Sequence, residues 1–183
     1  MSDDPRPLRA DARRNRELVL SAAQEAFASE GISVPLDEIA RRAGVGAGTV
    51  YRHFPSKEAL FTAAIIDRVE RAVAYARELT IADDAGVAFF EFLAFMAREN
   101  GVKRDLTDAV GSDRLAALGA SADLSGAIGT LLARAQRTGA IRPDIDVDDL
   151  MLILKAGFNA TRDADERRRR LAFSVILDGL RRT

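Results

Sequence analysis

The sequence has no cysteine, no tryptophan and a single histidine, His53. The lack of cysteine excludes disulfides and thiolate chemistry, and it fits a reducing compartment. Zinc is usually held by several cysteine and histidine side chains, so one histidine without any cysteine predicts no metal site. No cofactor is predicted either.

Long apolar runs are also missing. The longest apolar-rich stretch, residues 87–97, is interrupted by Glu91 and is shorter than the ~20 residues that a membrane span requires. Residues 1–16 are almost wholly polar and contain no signal-peptide core. We therefore expect a cytoplasmic protein with no membrane partner.

Neither charge sign is in excess, since 27 lysines and arginines are balanced by 28 aspartates and glutamates. Residues 9–57 hold eight basic and six acidic residues, which gives a net charge of +2. A nearly neutral total is compatible with a local basic face. Charge alone therefore neither indicates nor excludes nucleic-acid binding.

Apolar residues, 48% of the chain, recur at spacings of three and four along nearly the whole sequence. This spacing is typical of amphipathic helices, and no alternating strand pattern accompanies it, so the predicted fold class is all-α. Gly31 and Gly44 are placed to end the first two helices, and Asp146 to begin a later one. Asp163 with Glu166 resembles a capping box for the last helix.

Residues 35–60, PLDEIARRAGVGAGTVYRHFPSKEAL, combine two short helical patterns with a tight turn. Gly44 supplies the left-handed residue that such a turn needs. If Val50 and Phe54 are buried, the second short helix presents an exposed face that fits a major groove about 12 Å wide. The pattern predicts a DNA-binding helix-turn-helix near residues 36–54.

This segment resembles the DNA-binding domain of the tetracycline-repressor (TetR) family. The likeness rests on IA at 39–40, AGVG at 43–46, GTVYRHF at 48–54 and the SKEAL that follows. Residues 131–150, LLARAQRTGAIRPDIDVDDL, are similar to one actinobacterial-type branch of the family.

The resemblance implies a helix-turn-helix domain over residues 1–55 and a helical effector-binding and dimerisation domain over residues 56–183. From its polar sequence, the segment 1–9 is expected to be disordered. The resemblance also implies a ligand-responsive transcriptional regulator, most often a repressor. Such a regulator binds an inverted-repeat operator in double-stranded DNA as a homodimer, and a small-molecule effector releases it. The sequence does not name the effector or the operator.

Carried over by position, the family's DNA contacts fall on seven residues. Phosphate contacts fall on Thr49, Tyr51, His53 and Lys57, and base edges lie against Ala47, Gly48 and Arg52. Arg52 has the alternative of a phosphate contact or a salt bridge, Tyr51 that of packing against the first helix, and Lys57 that of a solvated surface residue. Three arginines of the N-terminal arm could also reach the DNA backbone or the minor groove: Arg13, Arg14 and Arg16.

Two further sites are predicted in the C-terminal half. An aromatic stripe there either lines an effector pocket or is plain core, and it is formed by Phe89, Phe92 and Met96. Rows of apolar residues on the last two helices are predicted to pack against a second copy as a four-helix interface, and they comprise Leu150, Leu154, Phe158, Val175, Ile176 and Leu180.

Two other function classes are less well supported than a regulator. An enzyme is disfavoured because the sequence shows no nucleophile–base pair, metal cluster or phosphate loop. The string GVGAG at 44–48 has neither a preceding strand nor the Lys-Ser/Thr ending of a phosphate loop. A helical interaction protein without DNA binding is disfavoured because Tyr51, Arg52 and Lys57 are intact.

Overall fold

A computed structural model of the chain describes residues 5–99, 120–161 and 163–182. Within these ranges the chain forms helices and no β-strand, which confirms the all-α fold class. The helices are α1 (Pro5–Glu30), α2 (Leu36–Ala43), α3 (Ala47–His53), α4 (Lys57–Leu79), α5 (Ala85–Glu99), α6 (Ala120–Arg137), α7 (Val147–Ala160) and α8 (Glu166–Leu180). No helix among the described residues is both long and apolar enough to cross a membrane.

The chain divides into two compact units, and in sequence the first gives way to the second between Arg68 and Val69. This point lies inside α4, so α4 is one continuous helix shared by the two units. The functional boundary at residues 55 and 56 stays a prediction. It falls at the break between α3 and α4.

The first unit buries an apolar core formed by α1, α2, α3 and the first half of α4. Phe27 and Phe61 lie at its centre, with their rings edge to face and their centroids 5.2 Å apart. Gly31 ends α1 at a φ of 79°, and Gly44 ends α2 at a φ of 69°. Both are left-handed conformations that favour glycine. The turns that the sequence predicts at these two positions are therefore present.

The second unit has a separate apolar core, to which α5, α6, α7 and α8 contribute. Asp84 accepts a hydrogen bond from the backbone N–H of Val87 at 2.9 Å, at the start of α5. Asp146 caps α7 and forms a capping box with Asp149, as its position in the sequence predicts. These caps satisfy N–H groups that have no partner inside the helix.

The last helix begins differently from the prediction. Its N-cap is Asp165, whose carboxylate accepts from the backbone N–H of Arg168 at 2.8 Å. Asp163 lies two residues earlier, in a turn, and so is too far from the first helical N–H groups to cap them. The capping box predicted for Asp163 and Glu166 is therefore wrong.

The N-terminal arm also differs from the expectation. The sequence predicts disorder over residues 1–9, whereas α1 begins at Pro5, so residues 5–9 are helical. Pro5 and Pro7 both fall in the first turn, where a missing backbone N–H costs no intrahelical hydrogen bond.

Candidate nucleic-acid interface

The short helix α3 is anchored by two side chains on one face. Val50 is fully buried and Phe54 is 3% exposed, and both belong to the core of the first unit. The Phe54 N–H donates to the carbonyl of Val50 at 2.8 Å and closes the helix. This anchoring directs the opposite face of α3 outward, as the sequence predicts.

The outward face of α3 brings together most of the residues predicted to contact DNA. Ala47, Gly48 and Arg52 are exposed, Tyr51 is 50% exposed, and Thr49 is half-buried. Because half of the Tyr51 side chain remains in solvent, its hydroxyl-bearing ring is available to a partner. The contacts of these residues with DNA stay predictions.

Because two glycines lie at the start of α3, no side chains cover the main chain there. Gly46 is the N-cap of α3, at φ −68° and ψ 145°, and it provides no side-chain cap. A Cβ atom built at Gly46 or at Gly48 would meet nothing within 4 Å. Neither backbone conformation nor packing within the chain therefore requires glycine here. Such a surface allows a partner to approach the backbone of α3 closely.

The two arginines of α2 are tied to carboxylates. Glu38 accepts hydrogen bonds from Arg41 and from Arg42, with nitrogen–oxygen distances of 2.7 to 2.8 Å. Arg42 also forms an ion pair with Glu30 of α1, at 2.6 Å. These hydrogen bonds lower the pKa of Glu38 from 4.5 to about 2. On α3 itself, the exposed arginine is Arg52.

The Glu38 cluster predicts a specific acid sensitivity. Because the pKa of Glu38 is depressed in the folded state, its stabilising effect is present above about pH 4.5 and is lost as the pH falls toward 2. We expect the wild type to melt above Glu38→Gln at neutral pH, and the difference in Tm to shrink across this window. Melting curves of both proteins between pH 7 and pH 2 measure it. A difference that does not change with pH would contradict the assignment.

The imidazole ring of His53 points one of its two nitrogen atoms into the protein. Its Nε2 atom is buried and has no hydrogen-bond partner among the described residues, and its ring lies 6.2 Å from that of Phe54. In this rotamer Nε2 cannot reach a phosphate. The predicted phosphate contact of His53 would therefore use Nδ1.

The side chains of Lys57, Arg13 and Arg16 contact other residues of the first unit. The Lys57 ammonium donates to the backbone carbonyl of Ser33 at 3.2 Å. The Arg16 guanidinium lies 5.6 Å from the ring centre of Phe54, and Arg13 approaches Glu17 at 3.8 Å. Arg16 thus lies beside the end of α3, an arrangement that the sequence alone did not indicate.

In the second unit, the predicted effector residues belong to an aromatic cluster. Phe89 and Phe92 are fully buried, and Met96 is half-buried. Tyr75 of α4 joins this cluster, with its ring 4.8 Å from that of Phe95. Sequence reasoning missed Tyr75, because only the packing of α4 on α5 brings it to the stripe.

Tyr75 also adds a polar group at this cluster. Its hydroxyl donates to the carboxylate of Glu91 at 2.6 Å, and this hydrogen bond raises the pKa of Tyr75 above its usual value. The cluster therefore combines stacked rings with one phenol and one carboxylate. Whether it holds an effector stays a prediction.

Half of the residues predicted to form the dimer interface lie in the core of their own unit instead. Leu150, Leu154 and Leu180 are at most 3% exposed and belong to the core of their own unit, so a second copy cannot cover them. Phe158 and Ile176 are half-buried, and the Phe158 ring packs 4.7 Å from that of Phe173. Of the six predicted residues, only Val175 is largely exposed, at 63%.

The large apolar side chains that are exposed on α7 and α8 are mostly other residues. Leu152 is 66% exposed and Leu171 is 56% exposed, and Val175 lies one helical turn beyond Leu171. Both helices are apolar on two sides, and the packing of the unit decides which side faces inward. We call Leu152, Leu171 and Val175 the outer row.

Comparison with known proteins extends the likeness to both units of the chain. Residues 19–64 match the family described as bacterial regulatory proteins, tetR family. Residues 84–182 match the C-terminal domain described as transcriptional regulator SbtR-like. The two matches cover both units of the fold.

Solved structures include close relatives. A TetR transcription regulatory protein from Mycobacterium vanbaalenii is 49% identical, with a TM-score of 0.77, and the match covers 96% of this chain and 99% of that one. The TetR transcriptional regulator SCO0520 from Streptomyces coelicolor is 31% identical, with a TM-score of 0.78, over 92% of this chain and 99% of that one.

A curated relative matches over a shorter length. The HTH-type transcriptional regulator UidR of Escherichia coli strain K12 is 39% identical over 72 residues. The match covers 39% of this chain and 37% of UidR.

Proposed function

Because the chain belongs to the TetR family of transcriptional regulators, we propose that it is a repressor that binds an inverted-repeat operator as a homodimer. A small-molecule effector bound in the second unit would release it from DNA. The family is one of regulators, so the enzymatic alternative is set aside. No cofactor is required by this mechanism.

One observation carries the proposal: α3 is anchored from behind by Val50 and Phe54 and presents a small, polar face outward. A helix with little side chain at Ala47 and Gly48 can approach base edges closely. Two such helices in a symmetric dimer would enter successive major grooves, so the operator should repeat with inverted symmetry. A binding-site selection from random DNA tests this directly.

Arg52 is proposed to supply most of the direct base recognition. It is exposed on α3, and its guanidinium suits the O6 and N7 atoms of guanine. A bidentate arginine–guanine pair contributes ~1–3 kcal/mol of discrimination. We expect Arg52→Ala to relax the preference for one guanine in each half-site while the other positions keep theirs. Parallel selections with the wild type and the variant measure it.

The competing role of Arg52 gives a different pattern. If Arg52 bound a phosphate, Arg52→Ala would weaken binding to all sequences evenly and leave the selected motif intact. Base specificity would then have to come from DNA shape or from the N-terminal arm. Arg41→Ala is the matched control, because its guanidinium is bound to Glu38 on α2.

Lys57 is proposed to bind a phosphate of the DNA backbone. Removing one lysine–phosphate pair should reduce the slope of log affinity against log salt by roughly 0.9, and the substitution removes two such pairs from a homodimer. We expect Lys57→Ala to lower the slope by about 1.8 and to weaken binding to all sequences about equally. Titrations at several salt concentrations measure it.

Lys155→Ala is the control for Lys57→Ala, since it removes the same charge from α7 in the second unit. Lys57 also donates to the Ser33 carbonyl, so the melting temperature of each variant is measured alongside. An unchanged salt slope in a well-folded Lys57→Ala would mean that Lys57 does not lie on a phosphate.

The effector is proposed to bind against the aromatic cluster. Stacked aromatic rings beside a phenol and a carboxylate offer apolar contact with a few fixed polar groups, which is typical of small-molecule sites. Phe89 and Phe92 are so deeply buried that they would line such a site from behind. Tyr75, Glu91 and Met96 are the more accessible members.

A further inference from the structure

A carboxylate lies beside the aromatic cluster of the second unit. Glu91 on α5 is exposed, and its Oε1 atom accepts from the Tyr75 hydroxyl at 2.6 Å. Among the described residues, no lysine, arginine or histidine forms an ion pair with Glu91. The phenol uses its one proton in this hydrogen bond, so it offers only oxygen lone pairs to a further partner. A ligand that reaches this pair of side chains therefore meets acceptors.

Three aromatic rings lie against one another next to this carboxylate. The ring centre of Phe95 is 4.8 Å from that of Tyr75 and 6.3 Å from that of Phe92, and the centres of Tyr75 and Phe92 are 6.5 Å apart. Phe92 is fully buried, whereas Tyr75 and Phe95 are half-buried and keep surface that a ligand can touch. The face of an aromatic ring is its electron-rich side, so accessible rings attract cations.

The helical register brings the carboxylate and the accessible rings together. Glu91 and Phe95 are four residues apart on α5 and therefore share one face of that helix. Tyr75, on the second half of α4, contacts both of them. All three residues belong to the second unit, so the site is complete within that unit. A single small ligand can meet the carboxylate and both rings.

The charges around Tyr75 sum to a negative value. The hydrogen bond to Glu91 is the main cause of the raised pKa of Tyr75, so the phenol stays neutral at physiological pH. The charge of Arg98 lowers this pKa and that of Glu78 raises it. Both side chains are exposed and opposite in sign, so they largely offset each other. The charge of Glu91 remains.

We propose that the effector is an organic cation with an aromatic or apolar body, of which a protonated aromatic amine is the simplest example. Its positive charge pairs with the Glu91 carboxylate, and its body packs on the rings of Tyr75 and Phe95. A neutral or anionic molecule of the same shape gains the packing but not the charge pairing. This inference rests on the proposed function, because it names the ligand class of the same site.

Three probes that share one phenyl ring test the charge preference: benzylammonium, benzyl alcohol and benzoate. The chain has two tyrosines, Tyr51 in the first unit and Tyr75 in the second, so isotope-labelled tyrosine rings report binding by NMR at two separate places. We expect benzylammonium to shift the Tyr75 ring resonances and to leave those of Tyr51 unchanged. At low salt it should bind roughly tenfold more tightly than benzyl alcohol, and benzoate should bind most weakly.

Two substitutions separate the carboxylate from the rings. Glu91→Gln removes the charge but keeps an oxygen that can accept from the Tyr75 hydroxyl, so it should weaken benzylammonium binding roughly five- to tenfold and leave benzyl alcohol unaffected. Glu70→Gln is its matched control, since it removes the same charge from an exposed position of α4 in the same unit. Phe95→Leu keeps an apolar side chain without a ring and should also weaken benzylammonium binding. Melting temperatures are measured alongside, because Phe95 is half-buried.

Three results would overturn the inference. It is wrong if benzylammonium and benzyl alcohol bind equally well, if benzylammonium leaves the Tyr75 resonances unchanged, or if Glu91→Gln binds benzylammonium as the wild type does. These titrations contain no DNA, so their outcome is distinct from that of the proposed function. A protein that selects a DNA sequence but does not bind benzylammonium contradicts the ligand class alone. A protein that binds benzylammonium at Tyr75 but selects no DNA sequence contradicts the proposed repressor instead.

Discussion

Gly86→Ala is expected to destabilise the second unit by about 2–3 kcal/mol, because it forces an extra carbon into a packed contact. A Cβ atom at Gly86 would lie 2.6 Å from the Cβ of Ala140. Both atoms are set by the backbone, so no side-chain rotation relieves the overlap. The start of α5 would have to move away from the turn after α6. A fall in Tm of roughly 4–12 °C is expected for a chain of this size.

Two other glycines are the controls for this overlap. A Cβ at Gly157 would lie 2.5 Å from Cδ1 of Ile176, the far end of a flexible side chain, so Gly157→Ala should cost less than about 1 kcal/mol. Gly126, inside α6, has nothing within 4 Å, and Gly126→Ala should stabilise by ~0.5–1 kcal/mol.

A second substitution tests the cause of the Gly86 effect. Ala140→Gly removes the atom that the new Cβ would strike, so adding it to Gly86→Ala should restore most of the stability. Denaturant unfolding of the two single variants and the double variant measures the interaction. Additive losses of stability in the double variant would mean that the overlap is not the source of the destabilisation.

We propose that the outer row lies in the dimer surface, so Val175→Glu is expected to separate the dimer into monomers and to lower operator affinity by about a hundredfold. A monomer lacks the effective concentration that linking two recognition helices provides, which is typically a factor of 10²–10⁴. Val175 is 63% exposed in the single chain, so the substitution should change folding stability little. Sedimentation at micromolar concentration and a gel shift on the selected operator measure both effects.

Ile81→Glu is the matched control for Val175→Glu. Ile81 is 86% exposed in the turn between α4 and α5, and the change introduces the same charge on an equally apolar side chain. It should leave the dimer and operator binding intact. A Val175→Glu protein that sediments as the wild type does would show that the outer row is not the dimer surface.

The fold class and the helix-turn-helix were predictable from the sequence because local rules govern them. Apolar spacing defines amphipathic helices, and Gly44 can adopt the left-handed turn at little cost. Val50 and Phe54 are four residues apart and therefore lie on the same face of α3. They are the large, purely apolar side chains of this short helix, so this face is the one expected to be buried. The sequence alone therefore predicts that the opposite face of α3 is exposed.

The sequence by itself determined the family, the helical content and which residues of α3 point outward. Only the tertiary structure decided which side of α7 and α8 faces the core, because both helices are apolar on two sides and periodicity cannot choose between them. Leu150 and Leu154 turned out to be internal, and Leu152 external. The contacts of Tyr75 were likewise decided by packing, since they join residues from separate helices, and distance along the chain carries no information about such pairs.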